Sequence, residues 1–421
     1  MASRSVTETA AQAAGTGEQR ARHSLDRALA ATLQSRIAGA GVGLELWNGI
    51  TTAPPGTASG TLRVHDRLAL VELLADPDLQ FGDRIADGRV EIGGDFASVI
   101  EALSWNQSRD GFSLRERWTM LTERAGGIRA AQRNIHRHYD IGNDFYRLWL
   151  DKDLVYTCAY YPTADADLET AQIAKMDLVC RKVALAAGDE VIEAGCGWGS
   201  LAIHMAREYG VRVRAFNISR EQIEYARARA KREGLADRVE FIEDDYRNIK
   251  GRCDVFMSVG MLEHVGLHNY RALSAVIRRT LDSRAGRGLL HFIGRERRRP
   301  LNAWIRHRIF PGAYVPTLAE VDNRILEPAG MATLDVENLR PHYARTLTHW
   351  LERFERAVPR VREMFDERFV RMWRLYLAGS RAAFETGWLQ LFQIVFAPPD
   401  RTVRWTRAGL YAENARSTDR P

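Results

Sequence analysis

The chain has 421 residues, of which 45% are hydrophobic and 27% charged, a balance that suits globular domains and excludes a fibre or a wholly disordered protein. Lysine plus arginine outnumber aspartate plus glutamate by 60 to 54, and the surplus of +6 favours an anionic partner, with nucleic acid and an anionic membrane both open. The longest nearly uncharged apolar stretches, such as residues 389–398, fall far short of the roughly 18 residues that would span a bilayer.

Residues 1–17 are rich in Ala, Thr, Ser and Gly and lack an apolar core, so residues 1–22 are expected to form a disordered leader and not an export signal. Residues from about Ser24 to Asn106 alternate short apolar segments with Gly and Pro punctuation: 43–47 and 61–64 read as strands, 66–74 as a helix and Asp76-Pro77-Asp78 as a turn. A small α+β domain is expected there, with no cluster of catalytic side chains. Residues 122–139, with Arg124, Arg129, Arg133, His136 and Arg137, read as a basic linker helix, either solvated or touching lipid headgroups.

From Leu178 onward strands and helices alternate. The expected strands are 191–194, 211–217, 239–242 and 253–259, and the expected helices are 201–209 and a Ser219-capped segment with Gln222 in a capping-box position, running to about Glu233. Such alternation makes a parallel, doubly wound sheet whose ligands lie at the carboxyl ends of the strands. Four cysteines, Cys158, Cys180, Cys196 and Cys253, are spaced too widely for a CxxC motif and are too few for a disulfide framework, which suits a reducing cytoplasm.

The first strand runs into Glu193-Ala194-Gly195-Cys196-Gly197-Trp198-Gly199, a glycine turn that lets a ligand approach the backbone where a helix begins. A dinucleotide site would have GxGxxG and an acid closing the second strand. Here the third Gly comes one residue early and that strand ends in Asn217, so both differences favour S-adenosylmethionine (SAM) over NAD; a purely structural glycine turn is the alternative. Asp244-Asp245-Tyr246-Arg247 follows the third strand, where an acidic side chain usually meets an adenine, although a solvated acidic turn fits the local sequence equally.

Several strings then converge in order: HYDIGNDFYRLWLD (138–151), VYTCAYYP (155–162), EAGCGWGS (193–200), SVGMLEHVG (258–266), LLHFIG (289–294), IFPGAYVP (309–316) and PHYARTL (341–347). Over roughly residues 130–397 they resemble the cyclopropane-fatty-acyl-phospholipid synthase family, with the related mycolic acid methyltransferases. The resemblance implies an α/β fold, a Rossmann-like class I SAM-dependent methyltransferase sheet with a helical lid, preceded by the small α+β domain. It implies an enzyme that transfers the methyl group of SAM to a double bond in an unsaturated phospholipid acyl chain, where bicarbonate removes a proton and a cyclopropane closes. By the same resemblance the anion site maps onto Cys158, Glu263, His291, Ile293 and Tyr343, with Cys158 and Ile293 acting through backbone amides. The SAM site maps onto Tyr139, Tyr156, Thr157, Gly195, Gly197, Asn217, Gln222, Asp245 and Tyr246; no metal is expected. Thr157, Asn217, Ser200 and Arg340 depart from residues common in the family, which puts single contacts in question more than the use of SAM.

Residues 294–312 interleave Arg295, Arg297, Arg298, Arg299, Arg306 and Arg308 with Leu301, Trp304, Ile305, Ile309 and Phe310, a composition suited to a phospholipid headgroup boundary. A solvated charged face and a single-stranded nucleic-acid surface are the alternatives, the latter unsupported elsewhere in the chain. Residues 349–396 read as amphipathic helices, packing against the sheet or roofing an acyl pocket, before a last antiparallel strand at 390–396. The expected domains are an accessory domain at 23–121 for membrane engagement and dimerisation, a catalytic domain at 122–400 and a tail at 401–421. The enzyme is expected to be cytoplasmic, a homodimer, peripheral on the inner face of the membrane and not bound to nucleic acid. Methylation without ring closure, or a catalytically inactive lipid-binding protein, are the competing readings.

Overall fold

In the computed structural model, residues 23–54, 59–105, 141–401 and 405–411 are described. The expected leader, the basic linker at 122–139, Tyr139 and most of the expected tail lie outside them. The chain divides into two compact units, the first drawn from the residues up to Asp110 together with Arg362–Ala382, the second from the remainder.

The first unit holds a four-stranded sheet of β1 (Val42–Leu46), β2 (Thr51–Thr52), β3 (Gly60–Val64) and β4 (Val90–Gly93) in the order β2-β1-β3-β4, with β1 and β3 parallel. Leu44, Leu46, Leu62 and Val64 are buried, as alternating strands with one covered face require. Asp66 caps the helix Arg67–Ala75 by accepting from the Ala69 N–H, and Arg89 beside it holds its carboxyl down at about 2. The expected turn at Asp76-Pro77-Asp78 is a helix start. Asp76 accepts from the Leu79 N–H, and Pro77, with its preset φ and no N–H to lose, opens the helix Pro77–Ala86. The segment 362–382 belongs to this unit through Arg368 to Asp87, Arg371 to the Ala86 carbonyl and Arg381 to Glu101, so that part of the expected C-terminal helices is a member of the first unit.

The second unit is built on a seven-stranded sheet: β5 (Glu190–Ala194), β6 (Arg212–Asn217), β7 (Val239–Glu243), β8 (Val255–Val259), β9 (Arg287–Gly294), β10 (Ala332–Asn338) and β11 (Gln390–Ala397), ordered β10-β11-β9-β8-β5-β6-β7. Strands β5 to β9 are mutually parallel where they pair, and β11 runs antiparallel to both β9 and β10. This is the class I methyltransferase architecture, and strand order reverses between β5 and β8, where such sheets open a crevice at their carboxyl ends. Two apolar layers cover it: Met176, Val179, Ile203 and Ile223 on one face, Leu273, Ile277, Ile325 and Leu326 on the other.

The expected strands fall in place, except that Cys253 makes only an isolated bridge to Leu281 and β8 begins at Val255. Ser219 caps the helix Arg220–Arg232 by accepting from the Gln222 N–H at 3.5 Å, but the Gln222 side chain bonds Asn217 in place of closing a capping box.

Candidate functional site

The glycine turn after β5 is shaped by three left-handed glycines, Gly195 (φ 86°), Gly197 (φ 53°) and Gly199 (φ 83°). A Cβ on Gly195 would lie 2.7 Å from Met261, and one on Gly199 would lie 2.5 Å from Phe241, so those two are needed for packing. At Gly197 nothing lies within 4 Å, which leaves its backbone open to a ligand. Asn217, at the end of β6, donates to the Gly197 carbonyl at 3.3 Å and to Gln222 Oε1 at 2.7 Å, so the two residues expected at a ribose are joined to each other and to the turn. Asp245 is buried and bound by Arg247 through both Nε and Nη2, and that guanidinium lies 5.4 Å from the Tyr246 ring. The Tyr246 hydroxyl, shielded from water, has no partner among the described residues.

The segment 151–159 enters this crevice through a turn held by Asp151, whose carboxylate accepts from the Asp153 and Val155 N–H groups. Leu154 sits at φ 58° in that turn, an uncommon conformation for a side chain of its size. Tyr156 follows, inside an aromatic cluster: its ring lies 5.5 Å from Tyr146 and 5.3 Å from both Trp149 and Trp350. Thr157 accepts from Lys175 Nζ at 2.9 Å, and its methyl group closes on Gly260, where a Cβ would come within 2.7 Å. Cys158 is fully buried beside Thr346, and burial drives its thiol far up, so it is a neutral packed group.

His291 and Ile293, two apart on β9, share one face of the strand, and the Gly260 N–H donates to the His291 carbonyl at 2.9 Å. Glu263, in the short helix Leu262–Val265, accepts from the Ile293 N–H through Oε1. Its Oε2 is buried without a partner among the described residues, and desolvation lifts the carboxyl to about 7. His291 Nε2 is likewise buried and unpartnered, and burial with the nearby Lys175 and Lys182 charges holds the imidazole well below its usual range, hence neutral. Tyr343 lies in the helix Arg340–Met364 with its ring 6.0 Å from Trp350.

Of the expected residues, Gly195 and Gly197 follow β5, Asn217 ends β6, Asp245 and Tyr246 follow β7, Glu263 follows β8, and His291 and Ile293 lie on β9, with Met261 of the β8 loop packed against Gly195. One detail differs from expectation: the Ile293 amide donates to Glu263. The arginine-rich stretch also differs, because Trp304 (4% exposed) and Ile309 are packed inside while Arg297, Arg298 and Arg308 are exposed. Its indole cannot lie at a lipid surface in this conformation.

Sequence reasoning passed over Gln172, Lys175, Lys182 and Gln393. The first three share with Leu168 and Val179 one buried stripe of the helix Leu168–Lys182, so polar residues at core positions of that helix were the available signal. Buried Lys175, its ammonium pushed down to about 8, stands in the electrostatic range of Glu193, pushed up to about 8.

Comparisons with known proteins show which family the chain resembles. The family described as mycolic acid cyclopropane synthetase matches residues 128–394. The chain is 36% identical over 379 residues to a protein of Pseudomonas putida named probable fatty acid methyltransferase, covering 87% of this chain and 95% of that one. It is 35% identical over 350 residues to cyclopropane-fatty-acyl-phospholipid synthase of Escherichia coli K12, covering 81% and 89%. Among solved structures, the cyclopropane synthase MmaA2 of Mycobacterium tuberculosis matches with a TM-score of 0.60 at 28% identity, over 63% of this chain and 98% of that one. A mycolic acid cyclopropane synthase, CmaA1, solved with SAH and CTAB, matches with a TM-score of 0.60 at 28% identity, over 63% and 97%.

Proposed function

The chain belongs to the mycolic acid cyclopropane synthetase family, whose members are SAM-dependent methyltransferases acting on lipid acyl chains, and from that premise we propose that it methylates the double bond of an unsaturated phospholipid acyl chain and closes a cyclopropane. The observation that supports the ring-closing part is that two polar atoms, Glu263 Oε2 and His291 Nε2, are each buried without a partner among the described residues. When bound, SAM supplies an electrophilic methyl group and bicarbonate supplies a base.

The residues divide the remaining work. The Gly195-to-Gly199 turn, Asn217 and Gln222 hold the methionine and ribose parts, and Asp245 with Tyr246 borders the adenine, the carboxylate staying in its Arg247 pair. Tyr156 and Thr157 border the sulfonium. Methylation of an alkene leaves a carbocation, and the faces of Tyr156, Trp149 and Trp350 offer negative quadrupoles to it while keeping water out. Glu263, whose carboxyl holds its proton up to about pH 7, and His291 bind the small oxyanion, with Tyr343 and the Cys158 backbone completing its surroundings; the Ile293 amide acts by fixing Glu263.

Among the described residues no helix is long and apolar enough to cross a membrane. The proposed attachment is peripheral: exposed Arg297, Arg298 and Arg308 meet phosphates of an anionic inner membrane face, and the unit containing residues 23–105 assists membrane engagement and dimerisation. A second reading, methyl transfer without ring closure, is favoured by the name of the Pseudomonas putida relative. Transfer of radiolabelled methyl from SAM to vesicles of dioleoyl phospholipid tests the proposal; label in the acyl chains supports it, and labelled SAM left intact beside those vesicles refutes it.

A further inference from the structure

The helix Leu168–Lys182, β10, β11 and β9 place four polar side chains in one buried row. Lys182 Nζ pairs with Glu337 Oε2 and donates to Gln393 Oε1 at 2.6 Å, and Gln393 Nε2 lies 3.0 Å from His291 Nδ1. At the outer end the Tyr411 hydroxyl donates to Glu337 Oε1 at 2.8 Å. Gln393 is 0% exposed and His291 2%, so water does not compete in the middle of the row.

The chemistry at its ends dictates the direction of every bond. An ammonium has only donors, and its carboxylate partner keeps Lys182 charged. Gln393 must therefore turn its oxygen to Lys182 and its amide N–H to His291. Nδ1 must accept, and a neutral imidazole that accepts at Nδ1 carries its proton on Nε2. Nε2 is the atom left buried without a partner among the described residues.

We infer that Lys182 and Gln393 are positioning residues that lock His291 as its Nε2–H tautomer, so that it donates to a small bound oxyanion and cannot serve as the proton acceptor. The inference deepens the proposed reading of His291 as an anion ligand and rests on it. It separates the two tasks of the site: His291 binds, and the proton leaves to another group.

The test is nitrogen-15 NMR of the full chain labelled in histidine, with the His291 signals assigned by their loss in His291→Asn. The expected wild-type signature is a pyrrole-type Nε2 and a pyridine-type Nδ1. In Gln393→Glu, a near-isosteric change whose carboxylate only accepts, the proton is expected on Nδ1; turnover on dioleoyl phospholipid vesicles should fall on the order of 10- to 100-fold with the SAM Kd unchanged. Lys182→Met should give mixed tautomers, and Lys182→Arg should restore the wild-type signature. A wild-type His291 protonated on Nδ1, or a signature indifferent to Gln393→Glu, overturns the inference and leaves lipid methylation untouched. The expected signatures with unchanged turnover in Gln393→Glu instead overturn the assignment of His291 to the anion.

Discussion

Glu263 Oε1 accepts the backbone N–H of Ile293, a residue 30 positions further along the chain, and this bond ties the short helix after β8 to the face of β9 that carries His291. It leaves the other carboxylate oxygen as the buried group directed at no protein partner among the described residues.

Because Glu263 titrates at about 7 when folded against an ordinary 4.5, it makes stability fall as pH rises through that interval: the unfolded chain has already released a proton that the folded chain still holds. At 1.36 kcal/mol per pH unit the effect reaches about 3 kcal/mol by pH 7. Glu263→Gln should remove this slope, so that urea midpoints measured at pH 5 and pH 7.5 lie closer together than in the wild type. An unaltered slope would show that the carboxylate is not desolvated. The same variant should lose product while keeping SAM affinity.

Gly197→Val tests the cofactor loop. Since a Cβ there meets nothing within 4 Å, the cost to folding is the φ of 53°, about 1–2 kcal/mol. SAM binding measured by calorimetry should nevertheless be lost, because the side chain fills the ligand's approach. Retained affinity would move the cofactor elsewhere.

All four cysteines, Cys158, Cys180, Cys196 and Cys253, are free and buried, and burial raises each thiol, Cys253 to about 12. A thiol reagent at pH 8 should therefore titrate almost no thiol in the folded protein and all four after denaturation. Rapid labelling of Cys158 in the native state would contradict its role as a packed group, and Cys158→Ala should keep turnover within about tenfold, as methyl transfer to an alkene needs no thiolate nucleophile.

Trp350 is fully buried and touches Trp149, Tyr156 and Tyr343. Trp350→Ala should lower stability by about 3–5 kcal/mol through the cavity it leaves, read from denaturant unfolding. Trp350→Phe should recover most of that and still slow turnover, since a smaller ring face remains over the crevice.

Much of the sheet was readable from the chain because its strands are short apolar runs bounded by glycines, and the helix Arg220–Arg232 announces itself by Ser219. The glycine turn was readable for the same reason: left-handed conformations demand that residue. What escaped was decided by tertiary pairing. Lys182 finds its partners in Glu337 and Gln393, far along the chain, and Lys175 finds its own in Thr157, on a loop before the helix. Trp304 looks like an interfacial indole until the surrounding residues bury it. Pro77 reads as a turn because Asp76 must serve two helices at once, a double role that no single-residue preference encodes.

The central claim is ring closure on a lipid chain, and mass spectrometry of fatty acids tests it most directly: purified protein is incubated with SAM and monounsaturated phospholipid vesicles, and the products are analysed before and after catalytic hydrogenation. The account predicts a gain of one CH2 that takes up no hydrogen under conditions that saturate an alkene. A gain of CH2 that still takes up hydrogen would contradict it.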